Sequence, residues 1–344
     1  MGSKGLARHH SLMMCLRWWQ LALAVVVLPV LASEETALIE TYLRAYYIPW
    51  QGDSYTKFAQ SLAKLGDVDG GGVADIAAGT PYDGTTNDGL LVLMFLKTSG
   101  SWSDHNTMGP ADLGIEAGNR ARLGYGLARI DDRNGDGVVD LAVSSIGERS
   151  SSPYPEGCVH LVQLTTAGAV TGAVQHLNGS FHGVSAQGAN FGWAVAAGGD
   201  WSGLASGEHD LLVGAPGHRE PGRSGTGCVL LLVPGVQPDN PRAARVCAGD
   251  VSPADEGAAA QGLGASLAHL GGRSVAAGAA LGGNQAEGAL WLLTLNATMG
   301  VEKAVVLQTE GLGLANGDGF GSAVAVLSSA ELEDEEGCSS DGTG

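Results

Sequence analysis

Phe191-Gly192, Leu211 to Pro216 and Gly227 to Val233 are three short apolar runs. Turn-forming Gly, Asp, Asn, Ser and Pro clusters lie between them. The same order returns along the chain. An aromatic or Leu followed by a small residue opens each unit: Phe58-Ala59, Leu123-Gly124, Phe191-Gly192, Leu263-Gly264 and Phe320-Gly321. The intervals are 65, 68, 72 and 57 residues. A second run ends in small residues at Ile76 to Gly79, Leu141 to Ser144, Leu211 to Pro216 and Val275 to Ala279. A third opens on glycine at Gly89, Gly157, Gly227 and Gly288. Such a period marks one supersecondary unit, each copy needing a neighbour to bury its apolar face. This repeat decides the fold.

Runs of Val, Leu and Ala bounded by turn residues read as strands. No unit carries a stretch of helical periodicity long enough for a helix pair, which excludes the helical solenoids. Three or four strands in about 65 residues make one blade of a β-propeller. No Trp-Asp dipeptide closes any unit, so the commonest propeller signature is absent.

Phe191-Gly192 followed by Gly214-Ala215-Pro216, with Gly227-Cys228-Val229 opening the next strand, resembles the FG-GAP repeat of integrin α-subunit head domains. The resemblance covers roughly residues 50 to 330 and is strongest in units one to three. Unit four keeps the strands and lacks both the Pro and an acidic loop. The family implies a seven-bladed propeller, of which this chain supplies four units and the start of a fifth. The expected fold is therefore all-β, an incomplete FG-GAP-type propeller over residues 33–330. One apolar strand is expected after Phe320-Gly321, running to Leu327.

The run from Asp132 to Asp140 resembles that family's calcium-binding hairpin. Asp132, Asn134, Asp136 and Asp140 stand at loop positions one, three, five and nine, and Gly137 at six allows a sharp turn. Alternate side chains in such a turn point inward, and Ca²⁺ takes about six to eight oxygen ligands. The carbonyl of Val138 and waters would complete the shell. Position twelve is Val143 where an EF-hand has Glu, and a strand follows instead of a helix. Unit one repeats the frame as Asp67, Asp69, Val73 and Asp75, with Gly71 in place of the third acidic side chain. A weaker Ca²⁺ site is expected there. Unit three keeps Asp200, Ser202 and Asp210 in a longer loop that reads as an ordinary turn. Gly271-Gly272-Arg273 of unit four offers no cation ligand set.

Lys4, Arg8 and Arg17 precede an apolar run from Trp18 to Ala32, and small residues stand before Ser33. That is the pattern of a cleaved secretory signal over residues 1–32, and the run is shorter than the ~18 apolar residues of a spanning helix. No membrane span is expected in the mature chain. Its removal changes the formal charge from −18 to −21. So acidic a surface disfavours nucleic acid and suits cations or basic partners. Residues 331–344 are an acidic segment expected to stay disordered.

Outside the cytosol, Cys158, Cys228, Cys247 and Cys338 allow three pairings. Cys158 and Cys228 occupy equivalent positions in successive units, which argues against joining them. A Cys228–Cys247 bridge within one unit is geometrically reasonable. Sequons at Asn178 and Asn296 sit beside turns, where N-glycosylation is expected in a secreted chain.

No HExxH, G-x-S-x-G or P-loop occurs. His160 and His176 fall in expected strands, and the other mature-chain histidines in or near turns. Ser266, in a stretch superficially like a nucleophile elbow, belongs to the opening phrase of unit four. Trp193 and Trp201 read as blade packing more readily than as a sugar platform. The expectation is a secreted or cell-surface binding module for a protein or glycan, not an enzyme. An accessory propeller of a secreted hydrolase, such as a phospholipase, is the second reading, and a purely structural secreted protein the third.

Overall fold

The computed structural model describes residues 57–83, 87–115, 120–147, 157–184, 188–201, 210–220, 226–233, 244–251, 260–280, 287–307, 313–315 and 317–326. The expected signal segment, the acidic end and Cys338 lie outside them. Among the described residues, sixteen strands form four antiparallel four-stranded sheets, arranged as the blades of a β-propeller. Blade one is β1 (Ser61–Gly66), β2 (Asp75–Thr80), β3 (Leu90–Leu96) and β4 (Trp102–Met108). Blade two is β5 (Leu123–Ile130), β6 (Asp140–Ser145), β7 (Cys158–Leu164) and β8 (Val170–Asn178). Blade three is β9 (Val195–Ala197), β10 (Leu211–Ala215), β11 (Cys228–Leu232) and β12 (Ala244–Cys247). Blade four is β13 (Leu263–Gly271), β14 (Ser274–Ala279), β15 (Ala289–Leu295) and β16 (Val301–Val306). In each sheet the strands lie in chain order.

Burial explains which strands read as continuous apolar runs. In blades two and three the second strands, β6 and β10, are buried at every residue, as is β11. Neighbouring blades cover both of their faces, so neither face needs polar residues. The outermost strands β4, β8 and β16 are largely exposed or half-buried. Packing is between blades. Leu91 and Leu93 of blade one share a core with Leu141, Val143, Val162 and Leu164 of blade two. Leu161 and Leu177 meet Leu211, Val213 and Leu230 of blade three. Val229 and Leu231 meet Trp291 and Leu293 of blade four.

The opening phrase of each unit is the joint to the unit before it. Leu123, Phe191 and Leu263 are fully buried. Parallel bridges join Gly89 to Leu123, Gly227 to Leu263 and Gly288 to Phe320. Gly124 and Gly264 take φ of 83° and 91°, a left-handed conformation suited to glycine. The β5/β6 and β13/β14 registers slip at the same places, between Leu123 and Leu127 and between Leu263 and Ser266. The bulge turns the backbone of the phrase toward the preceding blade. There its carbonyl accepts a hydroxyl: Ser61 Oγ donates to Gly124 O at 2.8 Å, and Ser266 Oγ to Gly321 O at 2.7 Å. Ser266 is thus a joint residue, engaged with the next unit.

The fifth unit departs from expectation. Phe320-Gly321 docks on blade four, but residues 321–326 form a turn and bends and not a strand. A lone strand needs a partner for its backbone groups, and none of the described residues supplies one here. Val326 is 48 % exposed, and Phe58, near the start of the described residues, is 47 % exposed. His105 and His269, expected in or near turns, lie in strands β4 and β13, His269 close to the turn that follows. Among the described residues, no helix is long and apolar enough to cross a membrane.

Candidate functional site

The hairpin between β5 and β6 folds around Asp132. Its Oδ1 accepts N–H bonds from Gly135 (2.7 Å) and Asp136 (3.2 Å), and its Oδ2 one from Gly137 (2.7 Å). These donors, Gly137 foremost, hold the Asp132 carboxyl below its ordinary range. Asn134 Nδ2 donates to Asp136 Oδ2 at 3.0 Å, and Val138 N to Asp136 Oδ1 at 2.8 Å. Gly135 and Gly137 have φ of 76° and 86°, which produces the tight turn.

Asp140 is buried at the end of this hairpin. Its Oδ2 accepts from Arg133 N at 2.9 Å and its Oδ1 from Leu164 N at 3.0 Å. Burial pushes its carboxyl upward, these donors oppose that, and repulsion from Asp132 and Asp136 adds to it. Three acidic groups are therefore close enough to feel one another, together with the Asn134 amide. All are hard oxygen donors of the kind Ca²⁺ takes. Val138, just after the bends at 133–137, buries its side chain.

The hairpin between β1 and β2 gathers its carboxylates more closely than its sequence suggests. Oxygens of Asp67, Asp69 and Asp75 lie within 4.8 Å of one another. Gly72 N donates to Asp67 Oδ2 at 2.9 Å, and Gly71 N to Asp69 Oδ1 at 2.8 Å. A Cβ at position 71 would stand 2.8 Å from Asp69 Oδ1, so the glycine that costs a ligand also makes room for this turn. Val73 is half-buried beside it. Asp75 repeats the role of Asp140, accepting from Val68 N and Leu96 N, both at 2.8 Å.

In blade three, Trp201 N donates to Asp210 Oδ2 at 2.9 Å. Trp201 is buried and its indole N–H bonds to Gly272 O of blade four, so this loop joins two blades. Ser202 lies outside the described residues. In blade four the Gly271-Gly272-Arg273 turn sends Arg273 Nη1 to Asn296 O at 2.9 Å. A buried Asp closes all three hairpins: Asp75 and Asp140, expected as metal ligands, and Asp210, expected in an ordinary turn.

At the opposite end of the blades lie the β2–β3 type connections and those between blades. Tyr82 sits there, with Lys57 Nζ 4.8 Å and the Arg122 guanidinium 5.5 Å from its ring centre. Tyr125 and Trp193 pack at 4.6 Å between centroids, and burial pushes the Tyr125 phenol upward. Residues 148–156, 221–225 and 252–259 lie outside the described residues. On the hairpin side a cavity of about 510 Å³ is lined by Arg129, Asp131, Ala197, Leu267, His269 and Val326.

Asn178 ends β8 at the start of a 3-10 turn, and Asn296 opens the turn after β15. Asn178 Oδ1 accepts from Ser180 N at 2.9 Å, and Asn296 Oδ1 from Thr298 N at 2.9 Å and Gly300 N at 3.0 Å. Cys228 and Cys247, cross-strand partners in β11 and β12, form a disulfide across a separation of 19 residues. Cys158 is a buried thiol at the equivalent place in blade two. Closing a loop of that length restricts the unfolded chain by about 3 kcal/mol. Replacing both Cys228 and Cys247 by Ala is expected to lower the denaturant midpoint accordingly, and an unchanged midpoint would contradict it.

Compared with known protein families and with curated proteins, the sequence matches no family model and no curated protein.

Proposed function

We propose that this chain is a secreted or cell-surface binding module of the FG-GAP type, part of a seven-bladed propeller. Its acidic hairpins hold Ca²⁺, and its opposite face engages an extracellular protein or a glycan. The observation that carries this reading is the polarity of each blade. Antiparallel order puts the β1–β2 hairpin and its equivalents at one end, and the β2–β3 and blade-to-blade connections at the other. The first end has short acidic turns in blades one and two. The second has long connections of varied composition, and loops on a rigid scaffold are where binding residues concentrate. Family likeness alone does not supply a ligand. Here the likeness rests on the phrases and hairpins described above, and the proposed action is binding without catalysis.

The calcium shells would draw on Asp132, Asn134, Asp136, Asp140 and the Val138 carbonyl, and on Asp67, Asp69, Asp75 and the Val73 carbonyl. Bound metal would neutralise carboxylates crowded at each turn and pin the hairpin.

The test of the binding face is a set of loop grafts. Gly/Ser segments replace 81–88, 148–156, 217–226 and 282–287 together with 179–190 and 249–261, and each variant is probed with a glycan array and by pull-down from extracellular fluid. Loss of ligand on grafting these loops is expected, with binding retained when the hairpin ends are altered. The opposite pattern would place the binding face at the hairpin end.

A further inference from the structure

We propose that Cys158, His160 and His176 form a binding site for one Zn²⁺ ion on the face of blade two that is turned toward blade one.

Strand alternation places Cys158 and His160, two residues apart in β7, on one face. It is the face that carries Val162 and Leu164 into the core shared with blade one. His176 is the cross-strand partner of His160 in β8. The result is a thiol and two imidazoles with converging ligand atoms. His160 Nδ1 lies 2.7 Å from His176 Nδ1 and 4.0 Å from Cys158 Sγ. One ligand atom from each of the three residues lies within 4.8 Å of the others.

Those spacings can be compared with what zinc requires. Bonds of about 2.0–2.1 Å to nitrogen and 2.3 Å to sulfur, in a tetrahedron, set the ligand atoms roughly 3.3–3.6 Å apart. The observed 2.7 and 4.0 Å bracket that range. Adjustments of about half an ångström bring them into it, and His176 is free to make them, being exposed on the outermost strand of its blade. Cys158 and His160 are buried, so the fixed part of the site is rigid and the movable part faces solvent, which supplies a route for the ion.

The surroundings favour a borderline-soft metal over calcium. Sulfur and imidazole nitrogen suit zinc, whereas calcium takes oxygen. Ser145 Oγ lies 2.7 Å from His160 Nε2. With Nε2–H donating to that hydroxyl, the lone pair of Nδ1 points at His176 and Cys158. A hydrogen bond to the far ring nitrogen is how metal-binding histidines are commonly oriented. On binding, the Cys158 thiol gives its proton to solvent and coordinates as thiolate, and water takes the fourth position.

Co²⁺ serves as a spectroscopic probe, titrated into the untagged full chain after chelator treatment and in the presence of millimolar calcium to occupy the acidic hairpins. The expected result is one equivalent of tetrahedral Co²⁺ with a thiolate-to-cobalt charge-transfer band, displaced by one equivalent of Zn²⁺. Cys158→Ser should remove the band. His176→Gln, a change at an exposed side chain that leaves folding intact by circular dichroism, should weaken Co²⁺ binding by more than roughly tenfold. Absence of the band in the wild type, or its persistence in Cys158→Ser, would overturn the proposal. Unchanged affinity in His176→Gln would do the same, and that variant decides the matter if Cys158→Ser fails to fold.

Discussion

Gly214→Val is expected to abolish stable folding, and Gly214→Ala to cost more than about 3 kcal/mol. A Cβ at residue 214 would stand 1.9 Å from Gly264 O and 2.9 Å from Gly264 C, main-chain atoms of the next blade. Overpacking that side chains can absorb costs about 1–3 kcal/mol. Here no side chain can yield, because the obstacle is backbone on a bulge fixed by the Gly227–Leu263 bridge. The blades would have to separate, opening the core that Val229 and Leu231 share with Trp291 and Leu293. The same approach recurs at Gly79 against Gly124 O (2.0 Å) and at Gly278 against Gly321 O. Gly109→Ala is the control: its φ is −99°, and the nearest atom to a new Cβ is Asp112 Oδ2 at 3.9 Å. A cost within ~1 kcal/mol is expected there. Thermal and denaturant midpoints measure both, and a wild-type midpoint for Gly214→Ala would contradict the joint described here.

Asp140→Ala is expected to cost about 3–5 kcal/mol, and to do so in chelator. Its carboxylate ties the Arg133 N–H of the hairpin to the Leu164 N–H at the end of β7. Hydrogen bonds to a charged acceptor contribute about 1.5–3 kcal/mol each, and Ala leaves these donors without the acceptor. Asp140→Asn should rescue little, because both oxygens accept N–H bonds and an amide turns one of them into a competing donor. Were Asp140 only a metal ligand, its variants would match wild type once calcium is removed. Equal midpoints of the wild type and Asp140→Ala in chelator would therefore refute the clamp.

Legibility in the sequence followed burial. Strands such as Asp140–Ser145 and Cys228–Leu232 stood out because blades cover both their faces. Trp102–Met108 faces outward and carries too few apolar residues to be read as a strand by that signal. The opening phrase was visible at once, but its cause was not. A glycine needed by a carbonyl some fifty residues away, as Gly214 is by Gly264, leaves no local mark. Loop positions of the hairpin acids could be read directly from their spacing. The clamp made by Asp75 and Asp140 could not, since the partners Leu96 and Leu164 are 21 and 24 residues away. His160 and His176 were placed in strands, and only the register of β7 with β8 brings their rings together. The strand expected after Gly321 failed for a related reason: apolar composition without a pairing partner does not make a strand.

The central functional claim, that the acidic hairpins are calcium sites stabilising the propeller, is tested most directly by thermal unfolding across a calcium titration of chelator-treated protein. At ten times the dissociation constant, each site should add about 1.4 kcal/mol by mass action, a rise of roughly 2–6 °C. Extracellular modules of this kind bind calcium at about 0.1–1 mM. Asp136→Ala, at an exposed loop ligand, should lose most of the gain while melting like wild type in chelator. A calcium-dependent rise that is much smaller in Asp136→Ala is the predicted result; coincident wild-type melting curves in calcium and in chelator would contradict the claim.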